Sequence, residues 1–417
     1  MPSRNDTRTV GFLTSGDSET PTPTEEQPVE SSFGLLQRLQ KLGKSMFLNT
    51  QTEADEQHVT PGEEPKSHLV SQAPDGVCKP QNHIVFLKTH KTASSTMVNI
   101  LYRYGDARNL TFGLPLQRNS QFYYPGWFSS SYVQGFVSKA VKEFHIICNH
   151  MRFNKPELEK VMPNDTFYFS IMRHPVTMLE SAFTYYKSIH AFHASNSLED
   201  FLDSGLRNEN PSVASSSYAH NNMAFDFGFN NNVSHISADL EERVAAAVAA
   251  IERDFDLILI TEYFDESVVM LKHMLCWSLD DVVSFKLNSR SESHRPLPHI
   301  EDKIALWNTL DWRLYAHFNT TFWQRVNSVV GGEEMVREVE RLRRLRERLQ
   351  EECLQGGLVN PGDVKDRKMK PYQNGAAPIQ GYNVKPDLEG QTKIECEQLI
   401  TPELQYSNKL YTKQFGN

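Results

Sequence analysis

The feature that most constrains the fold is a short apolar segment, residues 83–87, that runs into a polar loop and then into an amphipathic helix. The segment reads His-Ile-Val-Phe-Leu, which is typical of a buried strand. The apolar residues after the loop recur at helical spacing, and they are Met97, Val98, Ile100, Leu101 and Tyr104. The sequence therefore predicts a βα unit whose loop lies at the N-terminus of a helix.

This loop carries groups that bind anions. The loop and the first helical turn consist of Lys88, Thr89, His90, Lys91, Thr92, Ala93, Ser94, Ser95 and Thr96. The free N–H groups and dipole of a helix N-terminus attract anions, while lysines add charge and hydroxyls add donors. The loop has no glycine, so it is not a Walker A sequence. We predict a phosphate or sulfate ester as the ligand, and the alternative is a βα unit whose hydroxyls only cap the helix.

A second strand end delivers an arginine. Residues 166–172 read as a buried strand, and Arg173-His174-Pro175 follows, with the proline suited to a first helical turn. Arginine makes forked contacts with phosphate, although a structural ion pair is the alternative role. One sulfuryl donor, 3′-phosphoadenosine 5′-phosphosulfate, carries anionic groups at both ends. We expect the lysine-rich loop to bind its 5′ phosphosulfate, and Arg173 and Ser181 to bind its 3′ phosphate.

Several longer strings resemble the galactose-3-O-sulfotransferases, a family of Golgi carbohydrate sulfotransferases. They are FLKTHKTASST (86–96), ICNHMRFN (147–154), NNMAFDFGF (221–229), EYFDES (262–267), LDWRLY (310–315) and GYN (381–383). The resemblance covers residues 80 to 412. Residues 161–163 and 165–171 are most similar to the members that act on glycoproteins and oligosaccharides.

The resemblance implies a function. It implies transfer of a sulfuryl group to the 3-hydroxyl of a terminal β-linked galactose, on glycoprotein glycans or on a glycolipid such as galactosylceramide. It further implies a P-loop-like sulfotransferase fold, the Golgi apparatus as location and a type II membrane anchor, and it is compatible with a homodimer. No metal is expected, because the sequence has no H-E-x-x-H pattern and no C-x-x-C pair. No stretch of 18 apolar residues occurs, so either the anchor is missing from this chain or the protein is soluble, and we expect the first.

The chemistry assigns roles to particular residues. Sulfuryl transfer is an in-line displacement, in which positioning and charge stabilisation dominate by analogy with phosphoryl transfer. Lys91 is expected to stabilise the leaving phosphate, because it matches the catalytic lysine of the similar uronyl 2-O-sulfotransferases, and Lys88 is the second candidate. A histidine is the usual proton acceptor. We predict His150 as the base because it follows an apolar strand, with His90 second and His174 third.

Alternating strands and helices predict an α/β fold with a central parallel sheet and helices on both faces. The expected strands are residues 83–87, 144–148, 166–172 and 257–261. The expected helices between them include residues 133–142, 240–252 and 265–275. Residues 1–78 are predicted to be a disordered stem, and residues 80–412 the sulfotransferase catalytic domain.

Composition limits the partners. The net charge of −9 over 417 residues gives no general field for nucleic acid, so the basic site must be local. Of the five cysteines, Cys148 is expected to be a buried thiol, and Cys353 and Cys396 are candidates for a disulfide. Tyr218, Phe225 and Phe227 belong either to the acceptor cleft or to the core.

Two other functions are compatible with parts of this sequence. A P-loop kinase is disfavoured because the Walker A glycines are missing. A catalytically inactive lumenal galactoside-binding protein on the same scaffold is disfavoured because Lys91, His150, Arg173 and Ser181 are all present.

Overall fold

The computed structural model describes residues 78–208, 211–290, 295–373 and 377–416. Its centre is a four-stranded sheet in which every neighbouring pair is parallel. The strands are β1 (Ile84–Leu87), β2 (Ile146–Ile147), β3 (Phe167–Met172) and β4 (Leu257–Ile260), in the order β2-β1-β3-β4. This confirms the predicted α/β class with a central parallel sheet.

Helices follow and surround the strands. They are α1 (Ser94–Ala107), α2 (Lys155–Leu158), α3 (Pro175–Tyr185), α4 (His190–His193), α5 (Leu198–Asn208), α6 (Pro211–Ala214), α7 (Asn222–Asp226), α8 (Leu240–Asp254), α9 (Phe264–Leu275), α10 (Leu279–Val282), α11 (Pro298–Trp307), α12 (Thr309–Val329), α13 (Gly332–Cys353), α14 (Gly390–Ile400) and α15 (Glu403–Phe415). Short 3-10 turns lie at Leu116–Arg118, Ser130–Tyr132, Thr261–Tyr263 and Arg367–Met369.

The sheet is covered on both faces. All residues of β1, β2 and β4 are buried, and so is β3 after its first residue. This explains why the strands read as continuous apolar runs without alternation. The register pairs Leu87 with Ser170 and Met172 with Ile260, so the carboxyl ends of β1, β3 and β4 share one edge.

The strand order indicates which part of the sheet edge is suited to bind a ligand. The chain leaves β1 for β2 on one side, and β3 then lies on the other side of β1. The side on which successive strands join the sheet therefore reverses between β1 and β3, while the strands stay parallel. Open parallel sheets bind ligands outside the carboxyl ends of the strands at such a point. The lysine-rich loop and Arg173 follow these two strands directly.

One predicted helix is wrong. Residues 133–142 form turns instead. Gly135 has a φ of 84° and Lys139 a φ of 56°, and both values lie outside the helical region. Val133 pairs with Pro115 in an isolated bridge, which fixes the start of the segment in an extended conformation. The apolar residues of this stretch therefore pack from a loop.

The cysteines form two disulfides, Cys78–Cys276 and Cys353–Cys396, and Cys148 is a buried free thiol. The proposed Cys353–Cys396 bridge and the buried thiol are thus confirmed, whereas the pairing of Cys78 was not predicted. The predicted stem at residues 1–78 lies outside the described residues, except for Cys78. Across the described ranges, none of the helices combines the length and the apolar character needed to cross a bilayer.

Candidate active site

The loop after β1 adopts an unusual backbone conformation. Lys91 has a φ of 59° and Ala93 a φ of 60°, although neither is glycine. Residues other than glycine that adopt a left-handed backbone conformation are strained, and they cluster at functional sites. Among the described residues, no hydrogen bond uses the N–H groups of residues 91–95. A backbone with left-handed residues and unbonded N–H groups at the start of a helix is suited to bind an anion.

The hydroxyls of the loop mainly hold its shape. Thr89 Oγ1 donates to Ile171 O at 2.6 Å, which ties the loop to β3. Thr92 Oγ1 and Ser94 Oγ donate to Thr89 O at 3.2 and 2.8 Å. In the structure these hydroxyls form hydrogen bonds within the protein, and their predicted contact with a ligand remains a prediction. What the loop offers a ligand is its main-chain N–H groups and its lysines.

The first turn of α1 is held by the C-terminal region. Ser95 Oγ donates to Glu403 Oε2 at 2.8 Å, and Thr96 Oγ1 accepts from Leu287 N at 3.1 Å. Glu403 also pairs with Lys88, whose Nζ lies 3.3 Å from Oε2. The first residue of α15 thus neutralises one of the two loop lysines.

Of the two loop lysines, Lys91 is the one that has no carboxylate partner among the described residues. In the described ranges its ammonium forms no ion pair and lies 3.6 Å from the centre of the Tyr185 ring. Burial, together with Arg173, Arg290 and Lys88, lowers the pKa of Lys91 to about 7. A partly buried cation among other cations is costly, and a bound anion would remove that cost.

Arg173 meets the lysine-rich loop. Its Nη1 donates to Lys91 O at 2.8 Å, and its Nε donates to Thr177 Oγ1 at 3.0 Å. The two strand ends are therefore brought together as the sequence predicted. Ser181 is buried on α3, but among the described residues no hydrogen bond joins its hydroxyl to Arg173 or to the loop.

Arg290 is a basic residue of this site that sequence reasoning missed. It forms a two-pronged ion pair with Glu180, with Nη2–Oε2 at 2.6 Å and Nη1–Oε1 at 3.1 Å. Its charge contributes to the lowered pKa values of Lys91 and Arg173, so it lies in the same field. Its only sequence signal is a single arginine in a polar stretch, which is too common to single out.

His150 lies beside the loop, as predicted from the end of β2. Its Nδ1 donates to Lys88 O at 2.8 Å, and its Nε2 accepts from Lys88 Nζ at 2.6 Å. These partners assign the tautomer. Burial, with His90 and Lys88 nearby, holds the pKa of His150 well below its usual range.

His90 stacks on His150, with ring centres 3.9 Å apart and an angle of 9° between the planes. Its Nδ1 donates to Asp226 Oδ2 at 2.9 Å, and its main-chain N–H donates to the same oxygen at 2.9 Å. Its Nε2 is buried and has no hydrogen-bond partner in the described part of the chain. A histidine oriented by a carboxylate, with the other ring nitrogen free, is the arrangement of a general base.

The short helix α7 delivers Asp226. Asp311 accepts hydrogen bonds from Met223 N at 3.0 Å and Ala224 N at 2.8 Å, which fixes the start of this helix. Burial raises the pKa of Asp311 to about 7. Two of the strings that carry the family resemblance, residues 221–229 and 310–315, therefore act together to place one carboxylate against His90.

Aromatic rings surround the two histidines. Tyr124 lies 4.6 Å and Tyr218 lies 5.1 Å from the His90 ring, measured between centres. Tyr218 is partly exposed, whereas Phe227 is buried and packs against Phe255. Of the three aromatic residues left open by the sequence, Phe225 and Phe227 are buried, and a place in the acceptor cleft remains a prediction for Tyr218.

His174 has a structural role. Its Nδ1 accepts from Val176 N at 3.4 Å and caps α3, and its ring packs between Trp312 and Tyr315. Burial, with Arg295 nearby, lowers its pKa to about 4. Its N–H donates to Glu262 Oε1 at 3.0 Å, so the glutamate holds the turn that presents Arg173.

A group of potential metal ligands exists elsewhere in the described residues. His83, Glu143 and His145 offer ligand atoms within 4.8 Å of one another. His83 precedes β1 and His145 precedes β2, so the group lies at the amino ends of the strands. The lysines and histidines described above follow the carboxyl ends, and their chemistry does not use this group.

Comparison with known proteins identifies the family. The chain matches the profile of the family described as Galactose-3-O-sulfotransferase over residues 35–414. It is 48% identical over 343 residues to Galactose-3-O-sulfotransferase 2 of Homo sapiens, spanning 81% of this chain and 84% of that protein. It is 39% identical over 356 residues to Galactosylceramide sulfotransferase of Homo sapiens, spanning 83% and 82%. This chain therefore belongs to the galactose-3-O-sulfotransferase family and is a sulfotransferase that acts on galactose.

Proposed function

We propose that this protein transfers a sulfuryl group from 3′-phosphoadenosine 5′-phosphosulfate to the 3-hydroxyl of a terminal β-linked galactose. The observation that carries the proposal is the hydrogen bond of 2.8 Å from Arg173 to Lys91 O. It joins the loop after β1 to the end of β3, so that one nucleotide with anionic groups at both ends can contact both. The relatives named for galactose and galactosylceramide sulfation support the acceptor.

The residues present fit such a donor. The free N–H groups of residues 91–95 and the ammonium of Lys91 would hold the 5′ phosphosulfate. Arg173 retains guanidinium hydrogens for the 3′ phosphate, since two of its five donors form hydrogen bonds among the described residues. Arg290 adds charge to the same region. Ser181 remains a predicted contact of the 3′ phosphate.

Lys91 stabilises the leaving group in this proposal. The donor supplies a sulfuryl group on an anhydride, and the 5′ phosphate gains negative charge as the bond to sulfur breaks. Lys91 is the loop cation without a carboxylate partner among the described residues, whereas Lys88 is paired with Glu403. A cation already placed where charge develops requires little reorganisation.

The contacts favour His90 as the proton acceptor over His150, which sequence reasoning placed first. Nε2 of His150 already accepts a hydrogen bond from Lys88, and its pKa is low. Nε2 of His90 is free, and Asp226 both orients the ring and stabilises the imidazolium that forms. Tyr124 and Tyr218 lie beside the His90 ring, with ring centres 4.6 and 5.1 Å from its centre, and we expect the galactose to contact them.

The acceptor class and the location follow from the family. We infer a terminal β-galactose on glycoprotein glycans or glycolipids, in the lumen of the Golgi apparatus. Membrane association and a homodimer remain predictions. The greater identity to Galactose-3-O-sulfotransferase 2 than to Galactosylceramide sulfotransferase supports a galactose acceptor other than galactosylceramide.

One assay tests the proposal. Purified protein is incubated with donor labelled in its sulfuryl group and with a panel of β-galactosides and α-galactosides, and the product is mapped by NMR. We expect label on the galactose 3-oxygen of the β-galactosides. Galactoside binding without transfer would support the inactive binding protein, and phosphate transfer from ATP would support a kinase.

A further inference from the structure

An exposed tryptophan lies close to the active site. Trp127 is 49% exposed, an unusual state for so large an aromatic side chain. It pairs with Arg152 in an isolated parallel bridge, and Phe128 N donates to Arg152 O at 2.9 Å. The segment that carries Trp127 therefore runs beside the residues that follow His150.

Arg152 and Gly228 contact the indole ring of Trp127 and hold it in position. The guanidinium of Arg152 lies 3.8 Å from the centre of the Trp127 ring, and it also lies 4.2 Å from the centre of the Phe225 ring. Gly228 has a φ of 94°, and a Cβ there would lie 3.0 Å from the indole and 2.8 Å from Phe153 O. Position 228 therefore requires glycine, because any side chain there would clash with the Trp127 indole and with Phe153 O.

These side chains connect the surface with the catalytic histidine. Phe225 lies edge-on to Tyr124 at 5.7 Å between ring centres, and Tyr124 lies 4.6 Å from His90. We call Trp127, Arg152, Phe225 and Tyr124 the aromatic strip. It runs without interruption from the proposed base to an exposed ring.

We propose that the aromatic strip is a subsite for the sugars that precede the terminal galactose, with the outer face of Trp127 stacking on a pyranose ring. This inference rests on the proposed function. Sugar rings present C–H groups on their faces, and these pack against the electron-rich face of an aromatic ring. The strip begins at His90, where the reacting galactose must lie, and therefore follows the direction in which a glycan chain leaves the site.

The occupant is a glycan because the strip contacts the proposed base and combines three aromatic rings with one guanidinium. A lipid-facing surface is the competing reading, since Tyr123 on the same segment is 71% exposed. Tyr123 packs against Tyr132 at 5.1 Å and makes no ring contact with the strip among the described residues. It therefore provides a matched control.

The test compares Trp127→Ala, Trp127→Phe and Tyr123→Ala with wild-type protein. The acceptors are methyl β-galactoside, a β-galactose-terminated trisaccharide, and galactosylceramide in phosphatidylcholine vesicles. We expect Trp127→Ala to raise the KM for the trisaccharide by about tenfold, a typical loss for one aromatic stacking contact. The KM values for methyl β-galactoside and for the donor should not change. Trp127→Phe should restore most of the loss, and Tyr123→Ala should show none.

Three outcomes would overturn the subsite. They are an unchanged KM for the trisaccharide, an equal rise for methyl β-galactoside, and a rise confined to galactosylceramide, which would indicate a lipid-facing surface. If the wild-type protein shows no transfer, the proposed function fails instead. Calorimetric titration with the trisaccharide then decides the subsite, because weaker binding by Trp127→Ala supports it and equal binding contradicts it.

Discussion

The imidazole of His90 donates from Nδ1 to the carboxylate of Asp226 at 2.9 Å, across 136 positions of the sequence. Both side chains are almost completely buried. The contact joins the loop after β1 to the end of α7, so the proposed proton acceptor and the group that orients it come from separate parts of the chain.

Replacing Asp226 with Asn should lower kcat while leaving donor binding nearly unchanged. The amide cannot stabilise an imidazolium, and it can favour the wrong tautomer of His90. We expect a loss of about 10²- to 10⁴-fold in kcat, the usual range for general-base catalysis. Asp311→Asn is the matched control, because Asp311 is equally buried but bonds to the main chain of α7. An equal loss of kcat in both variants would show that the effect is structural.

His90→Gln and His150→Gln distinguish the two stacked histidines. We expect His90→Gln to cause the larger loss of kcat, because His90 holds the free Nε2. His150→Gln should mainly alter donor affinity, since it releases Lys88 from a hydrogen bond. Single-turnover kinetics at saturating donor separates chemistry from binding. If His150→Gln abolishes the chemical step and His90→Gln does not, His150 is the base.

Nucleotide binding should be coupled to proton uptake. The pKa of Lys91 is lowered to about 7, so at pH 8 much of this side chain is neutral. A bound anion favours the ammonium, so binding of adenosine 3′,5′-bisphosphate should take up a proton at pH 8 and much less at pH 6. Calorimetry in buffers of different ionisation enthalpy measures the uptake. Lys91→Arg should abolish it, and undiminished uptake in this variant would mean that another group titrates.

Lys91→Met should abolish transfer and yet raise the thermal stability. In the folded protein the ammonium is costly, as its pKa lies below the unfolded value of 10.5. This cost is full below pH 7 and declines as the pH rises from 7 to 10.5, because the folded state loses its proton first. The gain in Tm should therefore be greater at pH 6 than at pH 9. Normal turnover by this variant would remove Lys91 from the mechanism.

Arg173→Ala should reduce recognition of the 3′ phosphate. Loss of a charged donor typically weakens binding by about 10- to 100-fold. Adenosine 3′,5′-bisphosphate should lose this affinity, whereas adenosine 5′-monophosphate, which lacks the 3′ phosphate, should be affected far less. The comparison controls for any change in the loop that follows from losing the bond to Lys91 O. Equal losses for both nucleotides would argue that Arg173 only supports the loop.

Local sequence patterns predicted the sheet and the two polar segments that meet at its carboxyl edge. Continuous apolar runs mark buried parallel strands, and the polar residues after β1 and β3 stand directly at the carboxyl edge. Residues 133–142 misled the prediction, because apolar spacing does not reveal the positive φ of Gly135 and Lys139.

Other parts of the site depend on contacts between distant residues. The pairing of Glu403 with Lys88, and that of Asp226 with His90, are set by how the chain packs. Glu403 stands in a polar stretch like that of a surface helix, and the apolar neighbours of Asp226 do not indicate its partner. The resemblance covered residues 221–229, which include Asp226, but gave this residue no role.

The most direct measurement is a crystal structure of this protein with adenosine 3′,5′-bisphosphate bound. The account predicts that the 5′ phosphate accepts hydrogen bonds from the N–H groups of residues 91–95 and from Lys91, with the 3′ phosphate on Arg173. A nucleotide whose two phosphates contact neither the loop after β1 nor Arg173 would contradict it.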